Sequence, residues 1–270
     1  SVRDLVFEDG AVCGIRGEAA GKPTQFRAPV VLGCDGFKSV VARKTGLYEH
    51  DGRHLVVALR CYYEGVAGLT DQIELHFVDE ALPGYFWIFP LENGCANIGI
   101  GSLHRHIKKH HSNLKEALKA VLSRDPFRHR FAHASPLEEP VGWNLPMGSK
   151  HRRCYGDGFM LLGDAAGLID PFTGEGIGNA LYSGRFAAEV AAQAVAVGDS
   201  SAAVMRRYDE QLWGTIGSEL ATSARLQQLG HWRPLLNYVI ARAVRDEAVS
   251  DHICGMIANV VPKQELMPQM

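Results

Sequence analysis

The sequence predicts a mixed α/β (α+β) protein, in which an antiparallel sheet interrupts an α/β domain and a helical region follows. A short apolar run at residues 159–162 precedes a turn-rich segment and a long helical pattern, which indicates strand, turn and helix. Strand-like runs with short turns occupy residues 54–103, as is typical of an antiparallel sheet. From Ser201 the pattern is helical to the end, with breaks near Gly230 and Pro234.

Composition narrows the class of protein. A chain of 270 residues suffices for one large or two ordinary domains, and a formal net charge of −2 suggests neither a nucleic-acid groove nor an acidic tail. No apolar run approaches the roughly 18 residues that span a bilayer. The six cysteines contain no Cys-x-x-Cys pair, so we expect reduced thiols in a cytoplasmic protein and neither a disulfide framework nor a zinc site.

The first 34 residues contain three strand-like runs, residues 5–7, 12–15 and 26–32. Asp9 and Gly10 separate the first two and are typical of a hairpin turn. Residues 39–45 then predict a short helix, which Gly46 ends.

The central sheet is predicted from four runs, residues 55–63, 73–78, 84–91 and 96–103. In the third, strand alternation places Tyr85, Trp87 and Phe89 on one face and Phe86 and Ile88 on the other. A wall of three aromatic rings suits a long apolar ligand, and it equally suits a sheet packed on helices.

The histidine-rich run HRHIKKHH, residues 104–111, invites a metal site. No nearby Cys or acid completes a ligand set, so we expect a solvated loop or a helix start and no bound metal. His129 and His133 lack the Glu of a zincin motif and are predicted to be structural. Residues 114–122 predict a short helix and residues 137–149 an extended segment, in which Glu138 and Glu139 read as a solvated pair.

The segment after residue 162 has the features of a ligand site. Asp164 follows the carboxyl end of a strand, where open α/β sheets bind ligands. After a turn at residues 170–174, a helix is predicted from about Gly176, with Thr173 as N-cap and Glu175 near its positive end. Free N–H groups there can hold negative charge, although an ordinary strand, turn and helix capped by Asp164 explains the same residues.

Residues 163–181 read GDAAGLIDPFTGEGIGNAL and resemble the second flavin motif of the FAD-dependent para-hydroxybenzoate hydroxylase superfamily. The resemblance implies that Asp164 binds the ribityl hydroxyls of FAD and that the backbone of residues 174–177 stabilises charge on the reduced ring. The cofactor-binding residues implied in this segment are Gly163, Asp164, Pro171, Gly174, Glu175, Gly176 and Ile177.

An earlier segment, VVLGCDGFKSVVARKTGL, resembles the Asp-Gly motif of the same superfamily, with Cys34 in place of the usual alanine. Asp35, Gly36, Ser39 and Arg43 occupy the expected positions. The resemblance implies that Asp35 and Gly36 lie beside the FAD pyrophosphate. Taken alone, the segment indicates a strand-to-helix turn capped by Asp35.

The pattern Tyr-x-Trp-x-Phe-Pro, eight residues, then Gly-x-Gly resembles the signature of the geranylgeranyl reductase family, flavoproteins that saturate isoprenoid double bonds. It is matched by Tyr85, Trp87, Phe89, Pro90, Gly99 and Gly101. The resemblance implies that the first four of these bind the prenyl substrate. Flavin-dependent halogenases carry a related Trp-x-Trp-x-Ile-Pro, from which this chain departs at Tyr85 and Phe89.

The superfamily normally begins with a strand, Gly-x-Gly-x-x-Gly, and an acid that binds the adenosine ribose, and this sequence contains none of these. We therefore expect a piece of a longer protein, lacking roughly the first hundred residues and unable to hold FAD tightly by itself. The domains implied are a partial FAD-binding Rossmann-like domain (residues 1–50 and 152–198), an antiparallel-sheet prenyl domain (51–151) and a C-terminal helical region (199–270).

The expected function is FAD-dependent reduction of geranylgeranyl-type double bonds, with NAD(P)H as a candidate electron donor and a prenyl lipid as substrate. The catalytic residue is unassigned, and Glu175 and Cys95 are candidate proton donors by sequence proximity. The alternatives are a flavin monooxygenase or halogenase, and a prenyl-lipid-binding module without flavin. An apolar stripe over residues 232–244 predicts a helix packed on the protein or, alternatively, one in peripheral contact with a membrane.

Overall fold

The computed structural model describes residues 1–230, 232–258 and 260–261. The strands of the described residues are β1 (Val2–Glu8), β2 (Ala11–Ala19), β3 (Lys22–Arg27), β4 (Val31–Gly33), β5 (Leu55–Glu64), β6 (Glu74–His76), β7 (Tyr85–Pro90), β8 (Ala96–Leu103), β9 (Ser135–Pro136), β10 (Val141–Pro146), β11 (Tyr155–Gly156) and β12 (Phe159–Leu161). Their helices are α1 (Val40–Lys44), α2 (His104–His110), α3 (Leu114–Leu122), α4 (Phe127–Arg130), α5 (Ile177–Val197), α6 (Ala202–Leu229), α7 (Arg233–Ala243) and α8 (Glu247–Ile257).

The chain divides into two compact units, residues 1–50 with 146–270 and residues 51–145. The sequence placed the second boundary after residue 151, a few residues later. The helices beyond residue 198, expected as a separate region, lie in the first unit.

The first unit is built on a parallel pair of strands. β12 pairs with β4, so that Leu161 lies opposite Gly33, and β11 pairs antiparallel with the other edge of β12. A Cβ at Gly33 would lie 2.9 Å from Cδ2 of Leu161 and 3.0 Å from Cβ of Val41, so only glycine lets α1 pack this close to the sheet. One stripe of α5 and one of α6 complete the core, contributing Ala187, Val190, Ala194, Met205, Leu212 and Ile216.

β1, β2 and β3 form a separate antiparallel sheet in this unit. Asp9 and Gly10 both have positive φ, 48° and 84°, which confirms the predicted hairpin turn. The prediction of one strand over residues 26–32 is wrong. β3 pairs antiparallel with β2, whereas β4 pairs parallel with β12, so the chain leaves one sheet and enters another across residues 28–30.

The predicted helices of this unit are confirmed with one difference. Ser39 caps α1 by accepting the N–H of Ala42 at 2.9 Å. The N-cap of α5, however, is Gly176 and not Thr173. The hydroxyl of Thr173 instead donates to Oδ1 of Asp170 at 3.1 Å, which places it within the preceding loop.

The C-terminal helical pattern is confirmed as far as the structure describes it, since Gly230 ends α6 and Pro234 lies in the first turn of α7. The last part of that prediction, residues 262–270, lies outside the described residues. No helix in the described part of the chain is long and apolar enough to span a membrane.

The second unit contains a six-stranded sheet in the order β10-β5-β8-β7-β6, with β9 also paired to β5. β5, β8, β7 and β6 are antiparallel neighbours, as predicted. Residues 114–122 form α3 as predicted, and Leu118 and Val121 pack on one face of the sheet with Ile98 and Ile100. The histidine-rich run forms α2, which agrees with the predicted helix start.

Candidate functional site

Two predicted flavin-binding segments reach the same edge of the first unit. Asp35 and Gly36 follow β4, and Gly163 and Asp164 follow β12. Because β4 and β12 are parallel neighbours, their carboxyl ends lie side by side. This edge is where α/β sheets bind their ligands.

The carboxylate of Asp164 is half-buried and has no hydrogen-bond partner among the described residues. Burial raises its pKa above the usual value for aspartate. A carboxylate in this condition can still accept several hydrogen bonds, so it suits a ligand that brings hydroxyl groups. The alternative in which Asp164 caps a helix is not what the structure shows.

The start of α5 offers free donors. Gly176 provides no side-chain cap, and the first N–H groups of a helix have no acceptor within the helix. Glu175 Oε1 accepts the N–H of Gly178 at 2.7 Å. The N–H groups of Gly176 and Ile177 are therefore left, within the described residues, for an external acceptor.

Asp164 and the start of α5 are direct neighbours. A Cβ at Gly176 would lie 3.7 Å from Oδ1 of Asp164 and 3.1 Å from Cγ1 of Ile169. Gly163 and Gly174 both have positive φ, 54° and 76°, a conformation that favours glycine. The structure thus brings together an unpaired carboxylate and free N–H groups in a glycine-lined cradle, which fits the ribityl chain and ring edge of a flavin.

Asp35 has a different environment. Its Oδ2 accepts the N–H of Val40 at 2.6 Å and that of Val41 at 3.4 Å, so it supports the start of α1. This is the capping role that the sequence left open. Gly36 is partly exposed with a φ of 71°, and the assignment of both residues to the pyrophosphate stays a prediction.

Asp170, for which the sequence indicated only a turn, accepts several hydrogen bonds that hold the loop before α5. Its side chain is 2% exposed, and Oδ1 accepts the N–H groups of Phe172 and Thr173, both at 2.9 Å. Oδ2 accepts the hydroxyl of Ser223 on α6 at 2.6 Å. The Asp-Pro-x-Thr order is a signal for such a side-chain-to-backbone turn, but nothing in the sequence indicates the long-range partner.

Two further residues hold the end of β12 and were missed. Ser183 on α5 accepts the N–H of Gly163 at 3.1 Å, and Tyr208 on α6 donates to the carbonyl of Leu161 at 2.7 Å. Both side chains are fully buried. The sequence does hold one signal for such residues. A polar residue on the buried face of a helix must have a hydrogen-bond partner, so it marks a structural contact.

The candidate proton donors differ in what surrounds them. Oε2 of Glu175 is buried and has no hydrogen-bond partner among the described residues, while Oε1 caps α5. Cys95 lies in the turn between β7 and β8, with Sγ 4.0 Å from the carbonyl of Asn93. Glu175 therefore has an open carboxylate oxygen in the proposed flavin loop.

In the second unit, β7 alternates as predicted. Phe86 and Ile88 are fully buried in the core against the helices, whereas Tyr85, Trp87 and Phe89 are half-buried on the opposite face. Phe86 and Ile88 therefore pack against the helices, and the three aromatic residues on the opposite face do not take part in that packing.

The three rings form a continuous array. The centroid of Trp87 is 6.1 Å from that of Tyr85 and 6.1 Å from that of Phe89. The indole Nε1 donates to Oδ1 of Asn97 at 3.1 Å. A Cβ at Gly99 would overlap the indole, so the first glycine of the Gly-x-Gly pair makes room for Trp87.

Glu138 on the same unit is not simply solvated. Its carboxylate forms an ion pair with Arg60, whose guanidinium lies 4.7 Å from the ring centroid of Tyr62. Arg60 lies opposite Gly99 in the register of β5 and β8, and cross-strand partners share a sheet face. Arg60 therefore belongs to the same face of the sheet as Trp87.

The histidines supply no metal centre in the described residues, where no group of three or more His, Cys, Asp or Glu is placed to hold a metal ion. His129 lies 3.3 Å from Asp125 on the protein surface.

Comparison with solved structures shows the class of fold. A flavin-dependent brominase shares the fold with a TM-score of 0.70, 21% identity, and coverage of 92% of this chain and 63% of its own. A geranylgeranyl bacteriochlorophyll reductase-like protein of Thermoplasma acidophilum is similar at a TM-score of 0.78 and 28% identity, over 85% of this chain and 57% of that chain. The fold is that of the FAD-dependent oxidoreductases.

Sequence comparison gives the family. Residues 58–138 match the geranylgeranyl reductase catalytic domain. Digeranylgeranylglycerophospholipid reductase 1 of Methanococcoides burtonii is 33% identical over 228 residues, covering 82% of this chain and 53% of the relative. Digeranylgeranylglycerophospholipid reductase 2 of Methanopyrus kandleri is 36% identical over 217 residues, covering 77% and 53%. The chain belongs to the geranylgeranyl reductase family and spans about half the length of these relatives.

Proposed function

We propose that the protein to which this chain belongs reduces carbon–carbon double bonds of a geranylgeranyl-type prenyl lipid, with FAD as cofactor. The names of its relatives support this substrate class, and the family match spans the whole aromatic face. The observation that carries the proposal is the position of Tyr85, Trp87 and Phe89. Their side chains lie outside the core of their own unit and form a half-exposed apolar surface.

FAD binding is proposed for the first unit. Asp164 would accept hydrogen bonds from the ribityl hydroxyls, and the N–H groups of Gly176 and Ile177 would bind the ring edge that becomes negatively charged. The remaining cofactor-binding residues proposed are Gly163, Pro171, Gly174 and Glu175 near the ring, with Asp35 and Gly36 near the pyrophosphate. When bound and reduced, for which NAD(P)H is the proposed donor, the flavin supplies a hydride.

Prenyl binding is proposed for Tyr85, Trp87, Phe89 and Pro90. The aromatic faces of the first three would contact the alkene and stabilise the positive charge that develops when the double bond accepts a proton. One alkene carbon takes the hydride and the other takes that proton, so a proton donor is required. Glu175, with its open Oε2, is our candidate for holding it.

The test uses the full-length protein, reduced anaerobically and incubated with digeranylgeranylglycerophospholipid. Mass spectrometry should show a gain of one hydrogen pair for each double bond reduced. Phe89→Leu should lower the rate, whereas Phe77→Leu, the same change at an exposed ring of the same unit, should not. A hydroxylated product formed with oxygen would indicate a monooxygenase instead, and a colourless protein that still binds the lipid would indicate a binding module.

We also propose a peripheral membrane contact through α7. None of its residues is fully buried, although Leu235, Leu236, Val239 and Ala243 of the predicted apolar stripe are half-buried. Its exposed apolar and basic residues, with the flanking ones, are Trp232, Arg233, Tyr238, Ile240, Arg242, Val244 and Arg245. This composition is typical of interfacial helices. Sedimentation with anionic vesicles should retain the wild-type protein and lose a Trp232→Ser, Tyr238→Ser variant.

A further inference from the structure

We propose that Ser223 and Gln227 on α6 are positioning residues for the flavin, because they hold the loop of residues 170–176 that leads into α5. The proposal rests on the proposed flavin site. In this proposal α6, which carries none of the family motifs, fixes the positions of the free N–H groups at the start of α5.

Two hydrogen bonds from α6 to this loop lie on one face of the helix. Ser223 Oγ donates to Oδ2 of Asp170 at 2.6 Å, and Gln227 Nε2 donates to the carbonyl of Pro171 at 2.5 Å. Residues four apart are neighbours on a helix surface, so the two donors reach adjacent loop residues together. Ser223 is fully buried and Asp170 nearly so, which excludes water as a ready substitute.

Within the loop, Asp170 transmits this restraint to the flavin-facing residues. Its N–H donates to the carbonyl of Glu175 at 2.7 Å, and its carbonyl accepts the N–H of Gly174 at 2.9 Å. Asp170 is therefore bonded through its backbone to the two residues that precede Gly176. A displacement of Asp170 must displace the start of α5 or break these bonds.

The chemistry of Asp170 makes the Ser223 hydroxyl matter. A buried carboxylate is tolerated only while donors surround it, and loss of one donor leaves the charge partly unsatisfied. The loop would then relax to bring Asp170 closer to water. Donors aimed at a developing charge stabilise it only while their positions are fixed, so this relaxation should weaken stabilisation of negative charge on the ring.

The first experiment needs no flavin and measures amide hydrogen exchange in this chain. Ser223→Ala should speed exchange of the hydrogen-bonded amides of residues 172–175 about tenfold, the equivalent of one hydrogen bond to a charged group. The matched control is Thr222→Val, which removes a neighbouring buried hydroxyl bonded at 3.0 Å to its own helix at Ser218. Equal exchange in the two variants would overturn the proposal. Gln227→Met provides the same readout should Ser223→Ala not fold.

The second experiment uses the full-length protein with bound FAD and titrates it with sulfite, whose addition leaves negative charge on the ring. Ser223→Ala should bind sulfite about tenfold more weakly than the wild type, and Thr222→Val should match the wild type. Unchanged sulfite affinity in a Ser223→Ala protein that retains FAD overturns this inference and leaves the proposed function intact. A wild-type protein that retains no FAD overturns the proposed function, and hydrogen exchange still decides whether α6 holds the loop.

Discussion

The indole of Trp87 on β7 occupies the space above Gly99 on β8, where any side chain would overlap it. The two residues are directly opposite in the register, and the indole is also fixed by its hydrogen bond to Asn97. Gly101, the second glycine of the pair, is different. A Cβ there would meet its nearest atoms at 3.6 and 3.8 Å, which is ordinary van der Waals contact.

Gly99→Ala should therefore crowd both Trp87 and the carbonyl oxygen of Leu59, which would overlap the added Cβ, and destabilise the protein by about 1–3 kcal/mol, the usual cost of overpacking. Gly101→Ala is the matched control, and its melting temperature should stay close to that of the wild type. Thermal unfolding of both variants checks this. Equal melting temperatures would mean that the packing around position 99 does not require glycine.

Asp164→Asn should have opposite effects on stability and on cofactor binding. Burial raises the pKa of Asp164, so its charged form costs folding free energy. That cost is absent below the unfolded value of 3.8 and grows as the pH rises through the raised pKa. Without flavin, the variant should melt higher than the wild type at pH 7, and the difference should vanish near pH 3.

With the full-length protein, the same change should weaken FAD binding about tenfold, because a strong acceptor for hydroxyl groups is lost. Asp199→Asn is the contrasting control, since that carboxylate accepts the N–H of Ser201 at 2.9 Å and its pKa is lowered. The Asp199→Asn variant should melt at a lower temperature than the wild type at pH 7. An Asp164→Asn variant that melts lower as well would contradict the unpaired state of Asp164.

Local patterns predicted what local forces determine. The face alternation of β7 follows from strand geometry, and the hairpin at Asp9-Gly10 follows from turn chemistry. The motifs placed Asp164 beside the start of α5 for the same reason, since strand, turn and helix are contiguous in sequence.

The rest depended on contacts between distant residues. Thr173 is a good N-cap by propensity, but its hydroxyl is taken by Asp170, which in turn is held by Ser223 from α6. Residues 26–32 look like one strand, although their two halves pair with different sheets. No local pattern carries that information.

The second unit has a charge pair with a predicted acid dependence. Both carboxylate oxygens of Glu74 on β6 accept hydrogen bonds from Arg130, at 2.7 and 2.8 Å, and this bonding lowers the pKa of Glu74. A lowered pKa contributes stability that is present above the unfolded value of 4.5 and is lost as the pH falls through the folded value. Glu74→Gln should therefore lower the melting temperature at pH 7 and approach the wild type at acidic pH. Glu116→Gln, at an exposed position of α3, should leave the melting temperature unchanged at both pH values.

Tyr208 gives the most direct test of whether α6 supports β12. Burial raises the pKa of its hydroxyl, which therefore stays protonated and donates to the carbonyl of Leu161. Tyr208→Phe keeps the ring and removes the hydroxyl that makes this bond, so we expect a loss of about 1–2 kcal/mol in the free energy of unfolding. Tyr182→Phe, the same change at a half-exposed ring of α5, should cost almost nothing. Denaturant unfolding separates the two, and equal losses would mean that the bond to Leu161 does not stabilise the end of β12.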